Sequence, residues 1–94
     1  MDNMKKIEEK ISKSTKFPAE VISSTPKLEL TGNKSFYIEN HKGIKILTEQ
    51  LIVIKLNSGF IVAEGEKINI QEINRDFIYL TGIFNSFRFE KNLE

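Results

Sequence analysis

One stretch of the chain concentrates side chains able to do chemistry: Tyr37-Ile38-Glu39-Asn40-His41-Lys42-Gly43-Ile44. It holds the single histidine of the sequence, with a carboxylate two residues before it and a lysine after it. An imidazole beside a carboxylate can act as a general base, or as half of a metal site shared between two subunits. No nucleophile accompanies it, and one histidine with no cysteine cannot make a two-histidine or thiolate metal site within one chain. Asn40 and Gly43 suit turn backbone geometry, and an Asn or His at such a corner often bonds local carbonyls. Tyr37, Glu39, Asn40, His41, Lys42 and Gly43 are therefore candidate binding residues. Turn structure ranks first among their roles, partner contact second and catalysis last. No residue is assigned to catalysis or to a metal, and no cofactor is expected.

The rest of the sequence offers little else to an enzyme. It contains no phosphate-cradling glycine loop of the G-x-x-x-x-G-K-[ST] or G-x-G-x-x-G type, no G-x-S-x-G and no H-E-x-x-H. Apart from Glu8-Glu9 near the N-terminus, the acidic residues are spread singly, mostly along predicted strands and turns, as expected of solvated faces. Fourteen Lys plus Arg against thirteen Asp plus Glu leave a net charge of +1, far from the basic excess of a nucleic-acid binder. Only two of the fourteen cations are Arg, the residue whose planar fork reads phosphate and guanine.

The elements that must position the candidate turn are legible from periodicity. The 94 residues allow one domain, and 31 Leu, Ile, Val and Phe residues are enough to build a core. From Lys27 onward apolar residues alternate with period two. The predicted strands are 27–31, 35–39, 43–48, 51–56, 60–64, 67–71, 77–81 and 83–89, separated by Gly, Asn and Asp breakers. Asn57-Ser58-Gly59 suits a hairpin, and Gly65 is expected to supply a positive φ at the next corner. Short strands at this spacing without intervening helices predict an all-β fold, a small antiparallel sandwich or roll of about seven or eight strands. A β-solenoid-like stack is the alternative. Leu28-Glu-Leu-Thr-Gly32 and Ile78-Tyr-Leu-Thr-Gly82 echo one another, either as a repeated strand–corner–strand unit or by chance.

Ahead of the strands, Met4, Ile7 and Ile11 share one face of a short predicted helix over residues 3–14, with Asn3 as its cap. Five of the first sixteen residues are Lys, but no Trp or Phe lies within the helix to enter a membrane, so an ordinary solvated helix is favoured over a surface anchor. Phe17-Pro18 ends it. The domain expectation is a helix and connector over 1–26, a β domain over 27–90 and a tail over 91–94. No run approaches the ~20 apolar residues of a transmembrane helix. No secretory h-region is present either, so a cytoplasmic location is expected. Two predicted strands are apolar on both faces. Their Leu51, Val53, Phe84, Phe87 and Phe89 form a candidate interface, with burial in a two-sheet core as the competing explanation.

Pro26-x-Leu-x-Leu-x-Gly32, the Tyr37–Ile44 stretch, Gly65-Glu-Lys-Ile-Asn-Ile70 and Ile78-Tyr-Leu-Thr-Gly-Ile83, ending at Phe87, together resemble the YabP/YqfC family of sporulation proteins. Phe17-Pro18-x-Glu-Val21 resembles the lead-in of its YqfC branch. The resemblance implies a small cytoplasmic protein of the mother cell in an endospore-forming bacterium, with no defined biochemical activity. It also implies a membrane-bound sporulation partner of the YqfD type and a peripheral position at the membrane around the forespore. Glu39, Asn40, His41 and Gly43 match the family turn, to which no catalytic role attaches. Two functions follow as expectations. The first is a non-enzymatic assembly or adaptor module that self-associates or binds such a membrane protein. The alternative is a ligand- or envelope-binding β domain using the Tyr37/His41 face.

Overall fold

A computed structural model describes residues 25–93; the predicted helix over 3–14 lies outside them. The described residues form six strands: β1 (Lys27–Thr31), β2 (Ser35–Glu39), β3 (Ile44–Leu47), β4 (Leu51–Leu56), β5 (Gly59–Ile73) and β6 (Phe77–Glu90). All belong to one antiparallel sheet in the order β1-β2-β6-β5-β4-β3. The fold is all-β, and it is a single sheet of hairpins rather than a stack of coils. No helix among the described residues is long and apolar enough to cross a membrane.

Eight predicted strands become six because two of the expected breakers sit inside continuous strands. Gly65 interrupts the register of β5 against β6 without ending either strand, and Gly82 bends β6 in the same region. Further register shifts lie between Glu66 and Asn69 and between Ile70 and Glu72. Bulges of this kind bend a strand and increase its twist. Gly65 is not the residue that takes the positive φ at this corner. Lys67 does, at φ 54°, while Gly65 is required by close backbone approach: a Cβ there would meet the Ile83 carbonyl oxygen and lie 3.0 Å from Phe84 Cα.

The bend divides the sheet into two halves that share β5 and β6. One half comprises β1, β2, the first part of β6 and the last part of β5. The other comprises β3, β4, the first part of β5 and the last part of β6. The ring of Phe36 shows that the halves fold onto each other. Phe36 pairs with Leu80, so in a flat sheet Phe87 would lie seven residues further along β6, about 23 Å away at the usual strand rise. Instead the Phe36 and Phe87 centroids are 4.9 Å apart, and Phe36 meets Phe84 edge-on at 6.2 Å. Ile38, Ile52, Ile54, Leu56, Ile61, Ala63, Ile68, Ile78 and Leu80 complete the core between the halves. Backbone bonds close the corners. The amides of Gly65 and Ile68 donate to Gln50 and Glu49, and those of Gly82 and Phe84 donate to Lys34 and Asn33.

The Thr-Gly echo occupies two different geometries. Thr31-Gly32 opens the β1–β2 hairpin turn, whereas Thr81-Gly82 is a bend within one strand. The two segments are therefore not copies of one structural unit.

A candidate functional site at the β2–β3 corner

β2 delivers its last residue, Glu39, opposite Lys27 of β1 and Phe77 of β6. Asn40 then takes φ 63°, a left-handed conformation that asparagine tolerates better than most residues. Its amide donates to the Asp76 carbonyl at 3.0 Å, and its Nδ2 donates to the Thr25 carbonyl at 2.9 Å. Gly43 follows at φ 108°. The Lys42 amide donates to Lys55 and the Lys55 amide to Gly43, which attaches the corner to β4.

Both nitrogens of His41 are engaged. The Gly43 amide donates to Nδ1 at 2.9 Å, so Nδ1 carries a lone pair and the proton resides on Nε2. Nε2 then donates to the Asn74 carbonyl at 2.8 Å, in the turn between β5 and β6. Asn74 is itself fixed, since its Oδ1 accepts from the amides of Asp76 and Phe77. The imidazole thus spans from its own corner to a turn 33 residues away. No lone pair is left for a substrate proton or a metal ion. Among the described residues no group of three or more His, Asp or Glu side chains is arranged to hold a metal.

Removing the imidazole should loosen two connections at once. His41→Ala is expected to cost about 1–2 kcal/mol, the range for a lost hydrogen bond and an orphaned partner. Amide exchange at Gly43 should accelerate well beyond that at Ile54, which sits in the core. Unchanged exchange at Gly43 would show that the imidazole does not hold the corner.

Tyr37 and Glu39 point away from the core on the outer surface of the first half-sheet. Tyr37 is paired with Glu29 on one side and Tyr79 on the other, and its ring lies 5.2 Å from that of Phe77. Partial burial raises the Tyr37 pKa above its ordinary value of 10.0, reinforced by a hydrogen bond to Glu39 and by the charges of Glu39, Glu29 and Asp76. The folded state therefore favours the neutral phenol. The associated stability is present below pH 10.0 and is lost as pH rises through the Tyr37 titration. In a Tyr79→Phe background, ultraviolet titration should place Tyr37 above a free tyrosine, and Glu39→Gln should bring it down. No change with Glu39→Gln would remove Glu39 as a cause.

The candidate interface residues part company. Phe84 is 4% exposed and Phe87 packs against it and Phe36, so both rings already have core partners. Phe89 is 66% exposed. Leu51 and Val53 face outward from the second half-sheet, yet Leu51 is only half-buried and Val53 is buried, and they line a cavity of about 270 Å³ with Ile46, Val62 and Leu93. Arg88 lies at its rim, 2.9 Å from Glu90 and 3.0 Å from Glu64. Those carboxylates raise the Arg88 pKa further, but pairs this exposed add little to stability. None of the lining residues belongs to the 37–43 stretch. This cavity escaped the sequence reading. Period-two parity does put Val53 and Val62 on a common outward face, but only the strand register brings Arg88 and Ile46 beside them.

The YabP family matches residues 23–94 of the chain. The chain is also similar to the uncharacterized protein YqfC of Bacillus subtilis (strain 168), with 25% identity over 79 residues, 84% of this chain and 85% of that protein. No solved structure matches it. The family match takes in every strand of the sheet and the His41 corner, and the chain belongs to the YabP family.

Proposed function

We propose that the protein is a non-enzymatic assembly module of sporulation. It would work in the mother cell at the forespore-facing membrane, through self-association and a membrane-bound partner of the YqfD type. Family membership supports the sporulation setting. The observation that carries the assembly role is the apolar rim of the second half-sheet. Its edge strand β3 exposes Ile46 and Leu47, the latter 46% exposed, and Phe89 and Leu93 are exposed on the same half. An edge strand with unpaired backbone groups and apolar side chains is a template for adding another strand. His41 favours this role over catalysis, since both of its nitrogens serve the fold.

The test combines light scattering on the purified protein with co-purification from sporulating cells. A species larger than a monomer, or retention of the YqfD-type protein, supports the role when Ile46→Glu with Leu47→Glu abolishes it. A strict monomer that retains no such partner refutes it. The cavity lined by Leu51, Val53 and Val62 on one side and Glu64, Arg88 and Glu90 on the other favours a second reading, a ligand-binding domain, for which a small amphipathic ligand protecting Val53 and Val62 from exchange would be the sign.

A further inference from the structure

The outer surface of the first half-sheet combines aromatic rings with carboxylates that form no ion pair among the described residues. Tyr37, Phe77 and Tyr79 form an aromatic strip there, and Tyr79 is 38% exposed. Glu29 pairs with Tyr37 across β1–β2, Glu72 pairs with Tyr79 across β5–β6, and Glu39 and Asp76 are close enough to act on the Tyr37 phenol. Among the described residues no ion pair engages any of these four carboxylates, whereas Glu64 and Glu90 on the other half-sheet are both taken by Arg88. Lys27 and Arg75 are the cations nearest in the chain, so the surface is acidic on balance.

The complementary chemistry lies in the same chain. Residues 1–16 carry Lys5, Lys6, Lys10, Lys13 and Lys16 against Asp2, Glu8 and Glu9, and Met4, Ile7 and Ile11 recur at the spacing of one helical face. The described chain begins at this surface: Thr25 is held by Asn40, and β1 is the edge strand of the half-sheet. The Tyr79 strand is two strands in from that edge, about 10 Å away at the usual strand spacing. The ten residues from 15 to 24 can span up to roughly 33 Å, so reach is ample. Long-range attraction between a lysine-rich segment and an acidic surface then selects this half-sheet over the other.

We propose that residues 3–14 dock on the outer surface of the first half-sheet, setting Met4, Ile7 and Ile11 against the Tyr37/Phe77/Tyr79 strip and their lysines among Glu29, Glu39, Glu72 and Asp76. This docking is independent of the assembly role, which uses the opposite half-sheet. The chain has no cysteine, so Ser12→Cys gives a single site for a nitroxide on the full-length protein. At low ionic strength the amides of Tyr37, Phe77 and Tyr79 should fall below about half their diamagnetic intensity, while those of Val53 and Val62 keep theirs. Glu29→Lys with Glu72→Lys should restore the lost intensity, as should salt high enough to screen exposed charges. Isotope-enriched chain mixed with unenriched spin-labelled chain should show no broadening at Tyr37, Phe77 and Tyr79, because the contact is within one molecule. Broadening centred on Val53 and Val62, broadening confined to the mixed sample, or no localised broadening would each overturn the proposal.

Discussion

Phe36→Ala should remove about 3–5 kcal/mol of folding stability, the usual loss for a buried phenylalanine truncated in a tight core. Phe36 has no exposed surface, and its ring is the point where the two half-sheets touch through Phe84 and Phe87. The cavity would therefore open at the joint between the halves, where neither can relax without the other. A domain of this size has on the order of 5–15 kcal/mol in total, so the variant loses a large part of its margin. Denaturant unfolding measures it directly. Phe89→Ala, at a side chain two-thirds exposed, is the control expected to leave the midpoint almost unchanged. If the two variants lost equal stability, the folded-over core would be wrong.

The second large effect is expected at Gly65. Its missing side chain leaves room for the Ile83 backbone, and an added Cβ would meet the Ile83 carbonyl oxygen and sit 2.9 Å from its carbon. These are main-chain atoms of the paired strand, and they cannot swing aside as the end of a flexible side chain would. Gly65→Ala should cost at least about 3 kcal/mol, at or beyond the top of the usual overpacking range. The bend it distorts is also the joint between the halves, so near-ultraviolet dichroism from the Phe and Tyr rings should weaken along with stability. Gly32→Ala makes the comparison informative: no atom lies within 4 Å of its Cβ, and only the φ of 55° opposes the change. Equal losses at the two positions would mean that close approach plays no part at Gly65.

Local periodicity made much of this fold readable. Ser35–Glu39 alternates cleanly, and the inward residues of this strand and of Leu51–Leu56, namely Phe36, Ile38, Ile52, Ile54 and Leu56, are all buried, although Val53 of opposite parity is buried as well. The same rule misplaced side chains wherever a strand was irregular or overhung. Ile44 and Ile46 share a parity, but a register shift between them pairs Ile44 with Ile54 and Ile46 with Val53, which turns Ile46 to the outer surface. Phe89 and Leu30 have inward parity and remain exposed because no second layer of the described residues reaches that far. Gly65 and Gly82 looked like strand ends because glycine breaks local pattern, while their role depends on a backbone distant in sequence. The candidate turn divides the same way. Asn40 and Gly43 announce a corner by type alone, but the Asn74 carbonyl that fixes the imidazole lies too far along the chain for spacing to reveal.

The strand order has a consequence for how the molecule assembles itself. Four of its five pairings join strands adjacent in sequence, each closable by a short turn, and only β2 with β6 joins distant ones. That last pairing encloses the whole segment from Asn40 to Asp76 and carries the largest loop-closure entropy. Until it forms, Phe36 and Ile38 on one hairpin and Ile78 and Leu80 on the other face water as unsatisfied strand edges. The lifetime of that half-built ribbon, rather than the stability of the finished sheet, then sets how readily the chain aggregates while it folds.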